Sequence, residues 1–218
     1  MKYTVEVKEV CKNFDKKIVL NNVNLRLEQG KITGIIGRNG SGKTVLLKII
    51  CGLYVATSGE VYINGNLLNH EKLDKSIGIL IDNGFLADET GYKNLKLLSN
   101  LDNSIKEDKI LNTMRLVGLD PYNKTKYKNY STGMKQKLKF AQVLMFDSDI
   151  LILDELFNGL DKETVKNFRD IIELCKKEGK TILLTSHYQE DIDLLCDKVF
   201  EMDMGNLKEV KSYGKEKK

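Results

Sequence analysis

The run Gly37-Arg38-Asn39-Gly40-Ser41-Gly42-Lys43-Thr44 has the residue types and spacing of a loop that wraps phosphate groups. Its glycines let backbone N–H groups close around phosphate oxygens without a Cβ in the way. A strand-like stretch, Lys31 to Ile36, precedes it, and a helical run, Gly42 to Cys51, follows. The loop therefore opens onto a helix N-terminus, whose partial positive charge favours an anion. Lys43 supplies a point charge for the outer phosphates, and Thr44 offers a hydroxyl to Mg²⁺. Gly37, Asn39, Gly40, Ser41, Gly42, Lys43, Thr44 and Val45 are the candidate contacts to a bound nucleotide. The competing reading, a glycine-rich turn beside a solvated lysine, leaves the strand-to-helix placement unexplained.

Asp154 and Glu155 close the apolar run Ile150-Leu151-Ile152-Leu153. Their carboxylates thus emerge at the carboxyl edge of a buried strand, where ligands bind in open α/β sheets. Asp154 can hold Mg²⁺ through water, and Glu155 is placed to orient or deprotonate an attacking water. Taken alone, two acids at a strand end are an ordinary turn. Paired with the phosphate loop, they read as a hydrolytic site.

The elements that must position these groups follow from periodicity. Strand-like runs occupy Tyr3 to Val10, Lys17 to Leu27 and Lys31 to Ile36, the last two separated by the turn Glu28-Gln29-Gly30. A hairpin is predicted from Gly59 to Ile63 and from Leu67 onward, joined by Asn64-Gly65-Asn66. A short strand is predicted at Ser76 to Ile81. From Leu86 to Phe146 the reading is mostly helical, with apolar spacing at Leu95, Leu97, Leu98 and Leu101, then at Ile110, Leu111, Met114 and Val117. Ile150 to Leu153 and Thr181 to Thr185 are continuous apolar strands of the buried parallel kind, with a helix from Lys162 to Lys177 between them. The pattern is a parallel α/β core carrying an inserted helical segment.

Composition narrows the class. With 218 residues, 41% hydrophobic and 30% charged, the chain fits one globular domain with at most a small insertion, and a disordered chain is excluded. Lys and Arg total 35 against 31 Asp and Glu, a net charge of +4 that announces neither a nucleic-acid nor a membrane partner. Of that excess, +3 lies in residues 208–218, where Lys208, Lys211, Lys215, Lys217 and Lys218 outnumber Glu209 and Glu216. This local basic end suits an anionic membrane surface. Cys11, Cys51, Cys175 and Cys196 form no CxxC pair, so neither a zinc nor a redox motif is indicated, and a reducing compartment is expected. Met1 to Val10 has no apolar core of a signal peptide, and no stretch approaches the ~18 apolar residues needed to span a bilayer.

Several further segments, in a fixed order, give the chain a family resemblance that covers essentially its whole length. Tyr130-Ser131-Thr132-Gly133-Met134-Lys135-Gln136-Lys137-Leu138 resembles the signature motif of ABC transporter ATP-binding subunits, Asn158-Gly159-Leu160-Asp161 the D-loop, and Ser186-His187 the switch histidine. Phe14 is similar in position to the aromatic that stacks on adenine. The resemblance implies a P-loop NTPase core with a mixed, mainly parallel sheet, an N-terminal antiparallel β subdomain and an inserted helical subdomain at about residues 84–147 of a single 1–218 domain. It implies ATP and Mg²⁺ as ligands, and a second nucleotide-binding chain, identical or paralogous. Ser131 and Gly133, at a helix N-terminus, would contact the γ-phosphate of ATP held by that chain. Asp161 joins the nucleotide-binding set, His187 is the γ-phosphate contact that holds Glu155 and water in line, and a separate polytopic membrane protein carries the transport path. Asp82 stands where the family usually has glutamine, so its contact with Mg²⁺ or the attacking water would run through an intervening water. Thr132, Met134, Leu156 and Phe157 also depart from the commonest pattern. The acidic loop and this signature resemble the exporters linked to bacitracin and lantibiotic self-protection, which places the chain at the inner face of the cell membrane.

Two other functions compete. Residues 121–146 carry six lysines and no acid, interleaved with Tyr122, Tyr127 and Tyr130, a pattern that can serve nucleic-acid binding. The chain has a single phosphate loop and no sustained heptads, which argues against the nucleic-acid branches of the superfamily. A small-molecule kinase would share the phosphate loop but leaves the signature motif and His187 unexplained.

Overall fold

Alternation of apolar and polar residues builds the first layer. In the computed structural model, which describes residues 2–69, 76–80, 84–102, 104–186 and 189–210, β1 (Tyr3–Phe14) and β2 (Lys17–Glu28) form a long antiparallel pair. On β2, Leu20, Val23, Leu25 and Leu27 are buried while Asn24 and Arg26 face out. β1 extends four residues beyond the predicted end at Val10, because Lys12, Asn13 and Phe14 pair with Leu20, Ile18 and Lys17. Cross-strand hydrogen bonding continues a strand whose own alternation has lapsed. β4 (Ser58–Ile63) pairs with the other edge of β1, and β5 (Asn66–Leu67) closes the sheet. Asn64 and Gly65, with φ of 50° and 79°, supply the left-handed pair that the two-residue turn requires.

The second sheet carries the site. It has the order β10-β9-β3-β8-β7-β6, built from β3 (Ile32–Ile36), β6 (Ile77–Leu80), β7 (Ile150–Leu153), β8 (Thr181–Thr185), β9 (Lys198–Asp203) and β10 (Asn206–Val210). Neighbouring strands from β9 to β6 run parallel, and β10 is antiparallel to β9. β7 and β8 are buried on both faces, as their unbroken apolar runs require. Ile150 and Ile152 face a core shared with the antiparallel sheet and α1 (Lys43–Ile50), while Leu151 and Leu153 face the core shared with the helices. β9, β10 and α6 (Gln189–Leu195) add to the elements legible from periodicity.

Between β6 and β7 lie α2 (Gly91–Ser99), α3 (Glu107–Leu116), a single 3₁₀ turn (Tyr127–Asn129) and α4 (Thr132–Met145). Ile110 and Met114 line the inner face of α3 and Val117, its C-cap, is buried beside them, whereas Leu111 of the same predicted set is only partly buried. On α2 only part of the apolar set turns inward. Leu95 is buried, Leu97 is half exposed on the opposite side, since two residues rotate about 200° around a helix, and Leu101 lies past the helix end. α5 (Lys162–Lys177) returns the chain to β8, its Phe168 ring packed 4.7 Å from that of Phe140 on α4. Among the described residues, no helix is long and apolar enough to cross a membrane.

Candidate functional site

The β3–α1 loop holds its shape because its glycines are forced. A Cβ at Gly37 would collide with the Met202 carbonyl of β9, and at Gly42, where φ is 116°, it would stand 2.9 Å from the Val19 carbonyl of β2. Gly42 caps α1 without any side-chain acceptor. The first-turn N–H groups of that helix are thus left for an anion. The Ser41 hydroxyl is buried with no hydrogen-bond partner among the described residues. Lys43, only 6% exposed, folds back so that its Nζ donates to the carbonyls of Gly37 (2.7 Å) and Arg38 (3.2 Å) and lies 3.8 Å from Glu155 Oε1. Asn39 and Gly40 are exposed at the loop tip, and Val45 is partly buried.

Sheet order brings Asp154 and Glu155 to this loop. Thr44 Oγ1 donates to Asp154 Oδ2 at 2.7 Å, and Thr185 Oγ1 donates to Asp154 Oδ1 at 2.6 Å. The same Thr185 hydroxyl accepts from the Glu155 N–H at 2.9 Å. Lys43, Thr44, Asp154 and Glu155 therefore share one edge, as the sequence predicted. The pairing of one hydroxyl with one carboxylate fits Mg²⁺, which takes one or two carboxylates together with phosphates and water. Glu155 sits at φ 51°, a left-handed conformation that costs a non-glycine residue about 1–2 kcal/mol. Its carboxylate accepts from Asn158 Nδ2 at 3.2 Å. This turn takes the side chain out of the strand and back toward Lys43.

Thr132 and Gly133, at the start of α4, meet Gly159 in the segment that follows Glu155. Ser131 caps α4, accepting from the Met134 N–H at 3.2 Å, as a serine at this position should. Gly133 faces the Gly159 carbonyl, and a Cβ at Gly159 would stand 2.7 Å from Thr132 Cγ2. Asp161 caps α5 through the N–H and hydroxyl of Thr164, which hold its carboxyl below the usual range. Leu156 and Phe157 are buried, so these departures from the family pattern fill the core. Phe14 is 42% exposed at the end of β1, edge-on to Tyr54 with ring centres 5.8 Å apart, and Lys12 Nζ lies 4.9 Å from its centre. Asp82 and His187 lie outside the described residues.

Four supporting residues were not legible as such. Thr185 and Asn158 hold the two carboxylates, and Gln136 donates to the carbonyls of Glu155 (3.0 Å) and Leu156 (2.8 Å). Gln136 did leave a signal: it falls on the face of α4 shared by Phe140 and Val143, at i, i+4 and i+7. Arg169 on α5 holds the buried Asp191 of α6 at 2.9 Å, and the Ser186 hydroxyl donates to the same carboxylate. Of the three tyrosines in the basic segment, Tyr122 is exposed. Tyr127 and Tyr130 are core residues, and Lys126 and Lys128 pair with Asp88.

A family model described as "ABC transporter" matches residues 20–158. An uncharacterized ABC transporter ATP-binding protein of Bacillus subtilis, YybJ, is 40% identical over 205 residues, covering 93% of this chain and 94% of its own. The bacitracin transport ATP-binding protein BcrA of Enterococcus faecalis is 34% identical, over 96% of this chain and 69% of its own. The ATP-binding cassette MJ0796, solved as a dimer in a post-hydrolysis state with ADP and Pi, superposes with a TM-score of 0.87 at 24% identity over 96% and 99% of the two chains, a likeness of fold.

Proposed function

The chain belongs to the ABC transporter family as an ATP-binding, ATP-hydrolysing subunit, and from that premise we propose that the edge formed by the β3–α1 loop and the end of β7 is where ATP is held and cleaved. The observation that carries the proposal is the gathering of Lys43, Thr44, Asp154 and Glu155, from segments more than a hundred residues apart, into one hydrogen-bonded and ion-paired group. The phosphates lie along the N–H groups from Gly37 to Val45. Lys43 exchanges its two carbonyl partners for the outer phosphates, a trade of neutral acceptors for charged ones. Phe14 presents its ring to adenine. Thr44 and Asp154, with Asp82 through water, would hold Mg²⁺, which would neutralise phosphate charge as the γ-phosphate is cleaved.

Glu155 accepts a proton from the water that attacks the γ-phosphorus. The bond from the γ-phosphorus to the oxygen bridging the β- and γ-phosphates breaks, and ADP and inorganic phosphate leave. His187 holds Glu155 and that water in line. Ser131, Gly133 and Asp161 face the ATP of a second nucleotide-binding chain. Hydrolysis there and here drives a separate membrane protein, through which this subunit sits on the inner face of the cell membrane. The bacitracin relative, the acid at Asp82 and the Tyr130-Ser131 signature support export of a peptide antibiotic or similar drug.

Two variants test the reading together. Lys43→Ala should lose ATP binding by calorimetry. Glu155→Gln should keep ATP affinity while turnover falls by about a hundredfold or more and an ATP-bound dimer accumulates on size exclusion. Unchanged affinity in the first variant removes the phosphate-loop assignment, and wild-type turnover in the second removes Glu155 as base.

A further inference from the structure

Of the side chains that α4 buries, Gln136 is the polar one, set among Leu138, Phe140, Ala141, Val143 and Met145. It is 8% exposed, and its single amide nitrogen is shared between the carbonyl oxygens of Glu155 and Leu156. Both N–H groups of the amide are thereby committed to the two peptides that carry the chain out of β7. The first of these residues stands in the left-handed region, which a non-glycine side chain leaves unless its surroundings fix it. Thr185 fixes the Glu155 N–H from β8, and Asn158 steadies the carboxylate. The carbonyl side of the turn is held by Gln136 and by the Asn158 N–H at 3.2 Å.

We infer that Gln136 is a positioning residue for Glu155: its amide sets the backbone turn from which the carboxylate reaches the attacking water. The inference rests on the reading of Glu155 as the base. A second contact ties the same two segments, since Thr132 Cγ2 occupies the space a side chain at Gly159 would need. Both contacts start from α4, whose N-terminal Ser131 and Gly133 serve the other ATP. One helix therefore touches one nucleotide with its first turn and holds the base for the other with its second.

The test is a double-mutant cycle on the full chain. Gln136→Met removes both N–H donors at nearly constant volume. It should leave the ATP dissociation constant within about twofold of wild type while kcat falls about 10- to 100-fold, a fraction of what a general base supplies. In a Glu155→Gln background, where the base is already gone, the same substitution should change the residual rate by less than about twofold. Gln136→Asn keeps an amide but sets it one methylene short of both carbonyls, and should show the same selective loss of kcat if the methionine variant does not fold. Wild-type turnover in the folded variants, or an equal loss of rate with and without Glu155, overturns the role of Gln136. Wild-type turnover in Glu155→Gln alone would instead overturn the assignment of the base.

Discussion

Thr44 Oγ1 donates to Asp154 Oδ2 across 2.7 Å, a bond between the first turn of α1 and the end of β7 that spans 110 positions of sequence. Both oxygens of Asp154 are occupied, the other by Thr185. Asp154→Asn would place an amide N–H₂ against one of these hydroxyl donors and remove the charge. The expected result is a loss of the Mg²⁺-dependent gain in ATP affinity, with the ratio of the dissociation constant without Mg²⁺ to that with Mg²⁺ falling by about tenfold. A ratio equal to that of wild type would take Asp154 out of the metal site.

The Phe14 side chain is exposed although its backbone pairs with Lys17 of β2, and its ring lies edge-on to Tyr54. A base stacked on an aromatic ring gains about 1–3 kcal/mol. Phe14→Ala should therefore raise KM for ATP about 5- to 150-fold with kcat nearly constant, and Phe14→Tyr should preserve both. If alanine leaves KM unchanged, the ring is structural.

Arg169 is the partner of a carboxylate that is 1% exposed, Asp191, and also reaches the exposed Glu190. Arg169→Met leaves Asp191 buried and short of its counter-charge, and should destabilise the fold by about 2–3 kcal/mol, somewhat less than for a fully buried pair. For a chain of this size that is a fall of roughly 5–10 °C in Tm. Glu190→Gln, which alters only the solvated arm, should change Tm little. Equal effects of the two substitutions would contradict the assignment of the anchor to Asp191.

Burial pushes the Cys175 thiol up to about 11 and the Cys196 thiol up to about 12 from an ordinary 9.0, and raises Cys51 further still, aided by Asp154. All three stay protonated in the folded chain where the unfolded chain has already lost those protons. The folded state then binds more protons than the unfolded one, so stability is fully present below pH 9 and declines as pH rises toward 11. At pH 8 a thiol reagent should label Cys11 in the native protein and all four cysteines in denaturant. Rapid native labelling of Cys175 or Cys196 would contradict this burial.

The phosphate loop, the two acids after β7, the capping serine of α4 and the parallel strands β7 and β8 were legible in the sequence. Each is a local pattern in which backbone conformation, periodicity or a capping side chain acts within a few residues. The roles of Gln136, Asn158, Thr185 and Arg169 were not, because each depends on a residue that a different segment delivers. Gln136 carried a faint mark, a polar side chain on an apolar helical face, but nothing local says which carbonyls it meets. The same holds for Leu97, whose apolar character read as core and whose helical angle turns it outward. By itself the sequence determined which groups could bind phosphate, hold a metal ion and take a proton. Only the tertiary structure decided that Thr44 meets Asp154 and that α4 holds Glu155, since strand order and helix packing set distances that no spacing along the chain encodes.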